Sequence, residues 1–328
     1  MASLAIAPHD PIAASTRPFA ESLRMYWELR GPWNKGQPIH ETMTQLSLPP
    51  AIAAESGEAA MWEYARGAIW NDDPEGLLFD DRRFKWFGGP TTTNFSSGLA
   101  FAYRFKRGER APRSFGMSEP SLIRRSHFGD LQFLHAMAPD GQSPDRTLDD
   151  ILRWAEFTAD IAIGGTPPTT TLGDIPLLAR RFIPEQLAAT VNELFLIRGP
   201  IASLPWVDVR KRAAGSLLHM VQDSYAAGHT TRNGDDEIVE FHAYGQQDHR
   251  RHARADRLPA GRGSTPLSTS VAEHPAARAA VAAGSEVLAA LHTGQTWQAG
   301  VGAVVRRIFR LAGNARVAGP GEEFAVRR

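Results

Sequence analysis

The chain has 328 residues, balances 36 Lys+Arg against 36 Asp+Glu, and contains no cysteine. Hydrophobic residues at 42% and charged residues at 22% exclude a wholly disordered or fibrous chain. The missing cysteine excludes disulfide frameworks, iron–sulfur clusters, thiolate zinc fingers and cysteine nucleophiles, so any metal must sit among nitrogen and oxygen donors.

The N-terminal stretch has no basic start, and Pro8, Asp10 and Pro11 interrupt its apolar residues, so it lacks the pattern of a secretory signal. The expectation is a cytoplasmic chain or one exported by a non-classical route. No run of about 18 apolar residues predicts a transmembrane helix. Residues 1–20 read as a loose leader, and 20–31 as a short amphipathic helix stopped by Gly31-Pro32. Residues 40–70 predict two helices divided at Pro49-Pro50. Residues 71–120 are rich in Gly, Pro, Asp, Thr and Arg and read as long loops. Helical spacing predicts a helix over 148–163, with Asp149 and Asp150 favouring its start. A break at 164–174 precedes helices over 184–197 and 207–226. Residues 257–275 form a second break, 276–293 an Ala-rich helix, and Gly300 to about Leu311 a last helix before a frayed tail. β-branched alternation is scarce. The chain is therefore expected to be all-α with long loops. Residues 1–32 form the leader and short helix, 33–257 a helical domain, and 258–328 a C-terminal helical extension packed on that domain.

Five of the eleven histidines fall between residues 219 and 252. His219 and Asp223 are four apart on a predicted helix and project from one face. Such a pair can grip a zinc ion at about 2.0–2.2 Å, and the two oxygens of Asp223 could bridge two metals. Gly228 ends the helix and His229 follows. His252 and Asp256 repeat the spacing. One such pair is most often a surface hydrogen bond; two, with a histidine at the turn between them, point to metal. His242 and His249 read as solvated or as outer supports, and Ser224 and Tyr225 as helix packing.

His219, Asp223, His229, His252 and Asp256 resemble, in order and spacing, the zinc-dependent phospholipase C and single-strand zinc nuclease superfamily. The resemblance continues upstream through Trp33, His40 and Glu41 in PWNKGQPIHETMTQLSL, Gly67 with Asp72 in GAIWNDDP, and His127-Phe128 in RRSHFGD. It implies two or three zinc ions. One would use Asp72, His127, His219 and Asp223; a second His229, His252 and Asp256; a third His40 with a share of Asp223. Asp73 competes with Asp72 for the same role. In the family the mature chain often begins at the Trp, whose free amine binds metal. Trp33 is internal, which puts the third ion in doubt.

The implied chemistry is phosphodiester hydrolysis, with Asp72 also orienting the attacking water and Arg232, three residues after His229, contacting phosphate. The sequence carries no Gly-x-Ser-x-Gly elbow, Walker A loop or His-Glu-x-x-His motif, and GGP at 88–90 reads as a turn. The expected substrate is a phospholipid, cleaved by a phospholipase C. A single-stranded nucleic acid, cut by a zinc nuclease, is the alternative; the absent disulfides tilt against it. A third reading is a non-catalytic helical protein with structural zinc. Phe84, Trp86 and Phe87 in RRFKWFGG mix aromatic and basic residues as a peripheral membrane contact would. No partner protein is identifiable.

Overall fold

Pro49 and Pro50 divide the first helices as the sequence predicts. α1 spans Ile39–Ser47 and α2 spans Pro50–Asp72, with Pro50 in the first turn, where its missing N–H is no loss. The structure, a computed structural model, describes residues 37–326 apart from 78, 81–90, 93–94, 112–113, 179–180 and 259–265. The leader, the 20–31 helix, Trp33, the Phe84–Trp86–Phe87 segment and the GGP turn lie outside the described residues.

The 71–120 segment is not all loop. A two-residue ladder pairs β1 (Phe79–Asp80) with β2 (Thr91–Thr92), and α3 runs from Phe95 to Glu109. Gly98 and Gly108 mask the helix in the sequence. Gly108 is needed where α3 crosses the next helix: a Cβ there would lie 2.4 Å from the Phe128 ring. Phe105 packs edge-on against Phe128 at 5.0 Å. α4 (Leu122–Phe128) follows, then a 3-10 turn over Gln132–His135 closed by Ala136 in the left-handed region at φ 51°.

α5 runs Pro144–Ile163, a turn longer at its start than predicted, because the Ser143 side chain accepts from the Arg146 N–H and caps it. The 184–197 helix is broken into two single turns, α6 (Pro184–Leu187) and α7 (Val191–Leu194). Thr190 opens the second with a capping box to Glu193. α8 (Val209–Asp223) lies against α2 at their glycines. A Cβ on Gly67 would lie 2.0 Å from the Arg212 carbonyl oxygen, and one on Gly215 would lie 2.1 Å from that of Tyr64. A hairpin absent from the sequence reading joins β3 (Thr230–Arg232) to β4 (Ile238–Phe241). Asn233 shapes its turn by accepting from the Asp235 and Glu237 N–H groups.

The remaining helices are α9 (His249–Ala255), α10 (Leu267–Glu273), α11 (Pro275–His292) and α12 (Gly302–Ile308). α10 lies within the predicted 257–275 break. The main core gathers Trp62 and Trp70 of α2, Trp154 and Phe157 of α5, Leu217 and Leu218 of α8, and Val287 and Leu288 of α11. The tail is not frayed within the described residues. Ala243 N–H donates to the Gly319 carbonyl at 2.6 Å, Asp248 N–H to that of Phe324 at 2.7 Å, and Phe324 is buried. The described chain is all-α apart from these short ladders. No described helix is long and apolar enough to cross a membrane.

Candidate metal centre

The close passage of α2 and α8 sets the inner site. It brings Asp72, the last residue of α2, beside His219 and Asp223 in the last two turns of α8. A buried network locks the register. Ser216 donates to Asn71 Oδ1 at 2.7 Å, and Asn71 Nδ2 donates to the Leu134 carbonyl at 2.6 Å. Asn71 precedes Asp72 and Leu134 precedes His135, so this network presents those two side chains to each other. α1 contributes His40 and α4 contributes His127.

Three donor sets result: His40, His219 and Asp223; Asp72, His127 and His135; His229, His252 and Asp256. Within each, the ligand atoms lie within 4.8 Å of one another. Asp223 Oδ1 is 3.4 Å from His40 Nε2, while Oδ2 is 2.9 Å from His219 Nε2, 3.0 Å from His135 Nδ1 and 3.5 Å from His229 Nδ1. Asp72 Oδ1 is 3.9 Å from His135 Nδ1 and His219 Nε2 and 4.0 Å from His127 Nε2. In the outer set, Asp256 Oδ2 is 2.9 Å from His252 Nε2 and Oδ1 is 3.5 Å from His229 Nε2. Four donors at about 2.0–2.2 Å around a tetrahedral zinc lie roughly 3.3–3.6 Å from one another. The observed spacings bracket that edge, so the residues fit the ion.

Ring orientation supports the same reading. His40 Nδ1 is held at 2.9 Å by Gln222 Oε1, whose amide is oriented by donation to Thr44. His127 Nδ1 meets the Ile123 carbonyl at 2.9 Å, His229 Nδ1 the His135 carbonyl at 2.7 Å, and His252 Nδ1 Gln247 Oε1 at 2.7 Å. Each oxygen is an acceptor, so each Nδ1 donates to it and the Nε2 side of each ring is turned toward a carboxylate of the cluster. Anchoring of this kind is how metal-binding histidines are oriented. His219 Nδ1 and His135 Nε2 are buried without a partner, so these two rings are held only from the side of the cluster.

The charges are divided accordingly. Burial disfavours the Asp223 carboxylate, but His229, His219 and His40 outweigh it and hold Asp223 well below the usual range. Asp72 and Asp256 are likewise lowered, against their burial, by the surrounding imidazoles. Burial and then His135 push His127 down to about 3, and burial with His40 lowers His219. Burial opposes protonation of His229, yet Asp223 and Asp256 push it up to about 10. Without metal, the cluster holds ionised carboxylates with a share of protonated rings. A divalent cation would take the place of those protons.

All eight residues expected to bind metal converge: His40, Asp72, His127, His219, Asp223, His229, His252 and Asp256. The sequence reading missed His135. Its available signal was a lone histidine inside the apolar run QFLHAMA, where burial demands a partner. His135 joins Asp72 and His127, while His219 and Asp223 group with His40, which changes the expected ligand sets. Of Asp72 and Asp73, it is Asp72 that faces the histidines and lines the cleft, while Asp73 Oδ1 accepts from the Leu77 N–H at 2.8 Å.

Arg232 does not reach the cleft, against expectation. Its guanidinium donates to the Ser224 carbonyl and hydroxyl, the Asp236 carbonyl and the Ile308 carbonyl, and lies 4.2 Å from the Tyr225 ring centroid. It ties the hairpin to α8 and α12. His242 is buried between the Gly228 carbonyl at 3.0 Å and the Thr231 hydroxyl at 2.8 Å, and His249 lies 3.7 Å from Glu109 at the cleft edge.

The donors, all but the fully buried His219, line a cleft of about 790 Å³. Phe101, Phe105, Met137 and Tyr244 form one apolar wall; Met43, Leu258, Ala277 and Ala280 form another. A scan against protein-family models and searches of curated proteins and of solved structures find no match to this chain.

Proposed function

We propose that the chain is a zinc-dependent hydrolase of phosphodiester bonds, acting as a phospholipase C on phospholipid headgroups. The observation that carries this reading is Asp223, whose Oδ1 faces His40 while its Oδ2 also meets His135 and His229, one histidine from each of the other two donor sets. His40 with His219 and Asp223, Asp72 with His127 and His135, and His229 with His252 and Asp256 would hold the ions. Zinc bound there supplies Lewis-acid polarisation of phosphoryl oxygens and acidifies a water.

The chain's own groups do the rest. The Asp72 side chain is 46% exposed while its Oδ1 faces the histidines, so it is open to the cleft. It orients the attacking water and accepts its proton. The water oxygen bonds to phosphorus, the ester P–O bond breaks, and the departing alkoxide takes up the proton. The apolar walls accommodate the lipid glycerol and acyl portions and exclude bulk water.

A single-strand nuclease is the second reading, favoured by Tyr244 and Phe105, whose rings line the cleft and could stack a base. The test is metal analysis followed by turnover. Less than about one equivalent of bound zinc removes both enzymatic readings. With zinc present, phosphatidylcholine vesicles should release a phosphorylated headgroup, and His219→Ala and Asp223→Asn should abolish release. Release of nucleotides from single-stranded DNA alone selects the nuclease. Stoichiometric zinc with no turnover of either substrate selects a structural metal site.

A further inference from the structure

α3 has two unlike faces. Phe101 and Phe105 point inward to the cleft wall, and Gly108 meets Phe128. Leu99, Ala102 and Tyr103 recur at helical spacing on the opposite side, followed by Lys106, Arg107 and Arg110. Leu99 is 49% and Tyr103 60% exposed, two of the five large hydrophobic residues so exposed among the described residues. The nearby carboxylates are engaged with other partners: Glu75 with Arg104, Glu119 with Arg124 at 3.1 Å, and Glu109 with His249 at 3.7 Å. Among the described residues, no carboxylate is in ion-pair contact with Lys106, Arg107 or Arg110. The chain is neutral overall, so this is a local concentration of positive charge.

We infer that the outer face of α3 docks on an anionic lipid bilayer, with Leu99 and Tyr103 entering the headgroup boundary and Lys106, Arg107 and Arg110 meeting lipid phosphates. Apolar residues beside cations along one helix face are the pattern of an interfacial helix. Leu99 decides between surfaces: a leucine gains from hydrocarbon, whereas a nucleic acid rewards stacking rings. Because the inner face of α3 lines the cleft, docking sets the cleft wall against the membrane. The inference extends the proposed action on phospholipids and rests on that reading for its purpose, but docking itself requires no turnover.

Co-sedimentation of the zinc-loaded full chain with phosphatidylglycerol vesicles tests it. Wild type and the catalytically disabled His219→Ala should bind alike. Lys106→Glu/Arg110→Glu should lose at least about 30-fold in affinity, from about 1 kcal/mol for each cation removed. Leu99→Ser/Tyr103→Ser should lose about tenfold, with the loss persisting at high salt, which a purely electrostatic contact would not show. The control Arg153→Glu/Arg278→Glu, exposed elsewhere, should bind as wild type. Equal binding by the α3 variants and the control overturns the inference. So does tighter binding of single-stranded DNA than of vesicles with the same dependence on α3. Docking without headgroup release leaves this inference standing and removes the phospholipase; headgroup release unaffected by the α3 variants does the reverse.

Discussion

The two His-x-x-x-Asp pairs look equivalent in sequence and are held by different physics. His219 and Asp223 sit on a long helix buried in the main core, with side chains 0% and 3% exposed, and are fixed by the glycine crossing of α2 and α8. His252 sits on the seven-residue α9 and Asp256 caps its C-terminus, 37% exposed at the cleft edge. Hydrogen bonds, not core packing, fix this outer pair. Gln247 accepts from His252 Nδ1 and donates to the carbonyls of Gly228 and Pro320 at 2.8 Å each, so the C-terminal tail braces the outer set. The difference teaches that the inner site should fail with the fold, and the outer site with a single hydrogen bond.

The largest break should come from Asp223→Asn. It removes the carboxylate that meets histidines of all three sets, so metal analysis should show loss of more than one ion and activity should fall by more than about 100-fold. Loss confined to one ion would show that Asp223 does not bridge. Next is Gly215→Val, which forces a side chain into the Tyr64 backbone and should cost about 3–5 kcal/mol in thermal or urea unfolding. An unchanged midpoint would remove the helix crossing as the source of the inner geometry.

Gln247→Leu should be milder and selective. It should weaken outer-site zinc by about 10–100-fold while leaving inner zinc and the unfolding midpoint of the inner core nearly unchanged. Competition with a chelator read by metal content separates the two. The smallest effect is a pH slope. Burial pushes His242 down to about 4 from 6.5, so the folded state binds fewer protons than the unfolded chain across that window. Its neutral burial therefore stabilises fully above about pH 6.5, and the contribution is lost as pH falls toward 4; at about pH 5.5 the loss is about 1 kcal/mol. His242→Asn should flatten the slope of unfolding free energy against pH between those limits. An unaltered slope would assign the acid sensitivity elsewhere.

Legibility differed along the chain for definite reasons. The α1–α2 boundary was readable because consecutive prolines act locally on the backbone. α3 was not, because Gly98 and Gly108 resemble breakers until Phe128 is seen to require the space. The helix-borne pairs were readable because a four-residue spacing fixes a shared face. His135 was not, because its place depends on Asn71 reaching the Leu134 carbonyl across 63 positions. Arg232 looked available from its distance to His229, but three backbone carbonyls had already claimed its donors.

By itself, the sequence determined the donor chemistry: no thiolate, eleven histidines, and two carboxylate–histidine pairs set by helical period. It also determined the all-α character, through apolar spacing and proline and glycine punctuation. Only the tertiary structure decided how donors from α1, α2, α4, the 3-10 turn and α8 combine, because ligand grouping depends on helix crossing and ring anchoring rather than on order along the chain. It likewise decided that Asp72 and not Asp73 faces the cleft. A one-residue rotation of about 100° on a helix end separates a carboxylate that faces the cleft from one that caps the helix, and only packing selects between them.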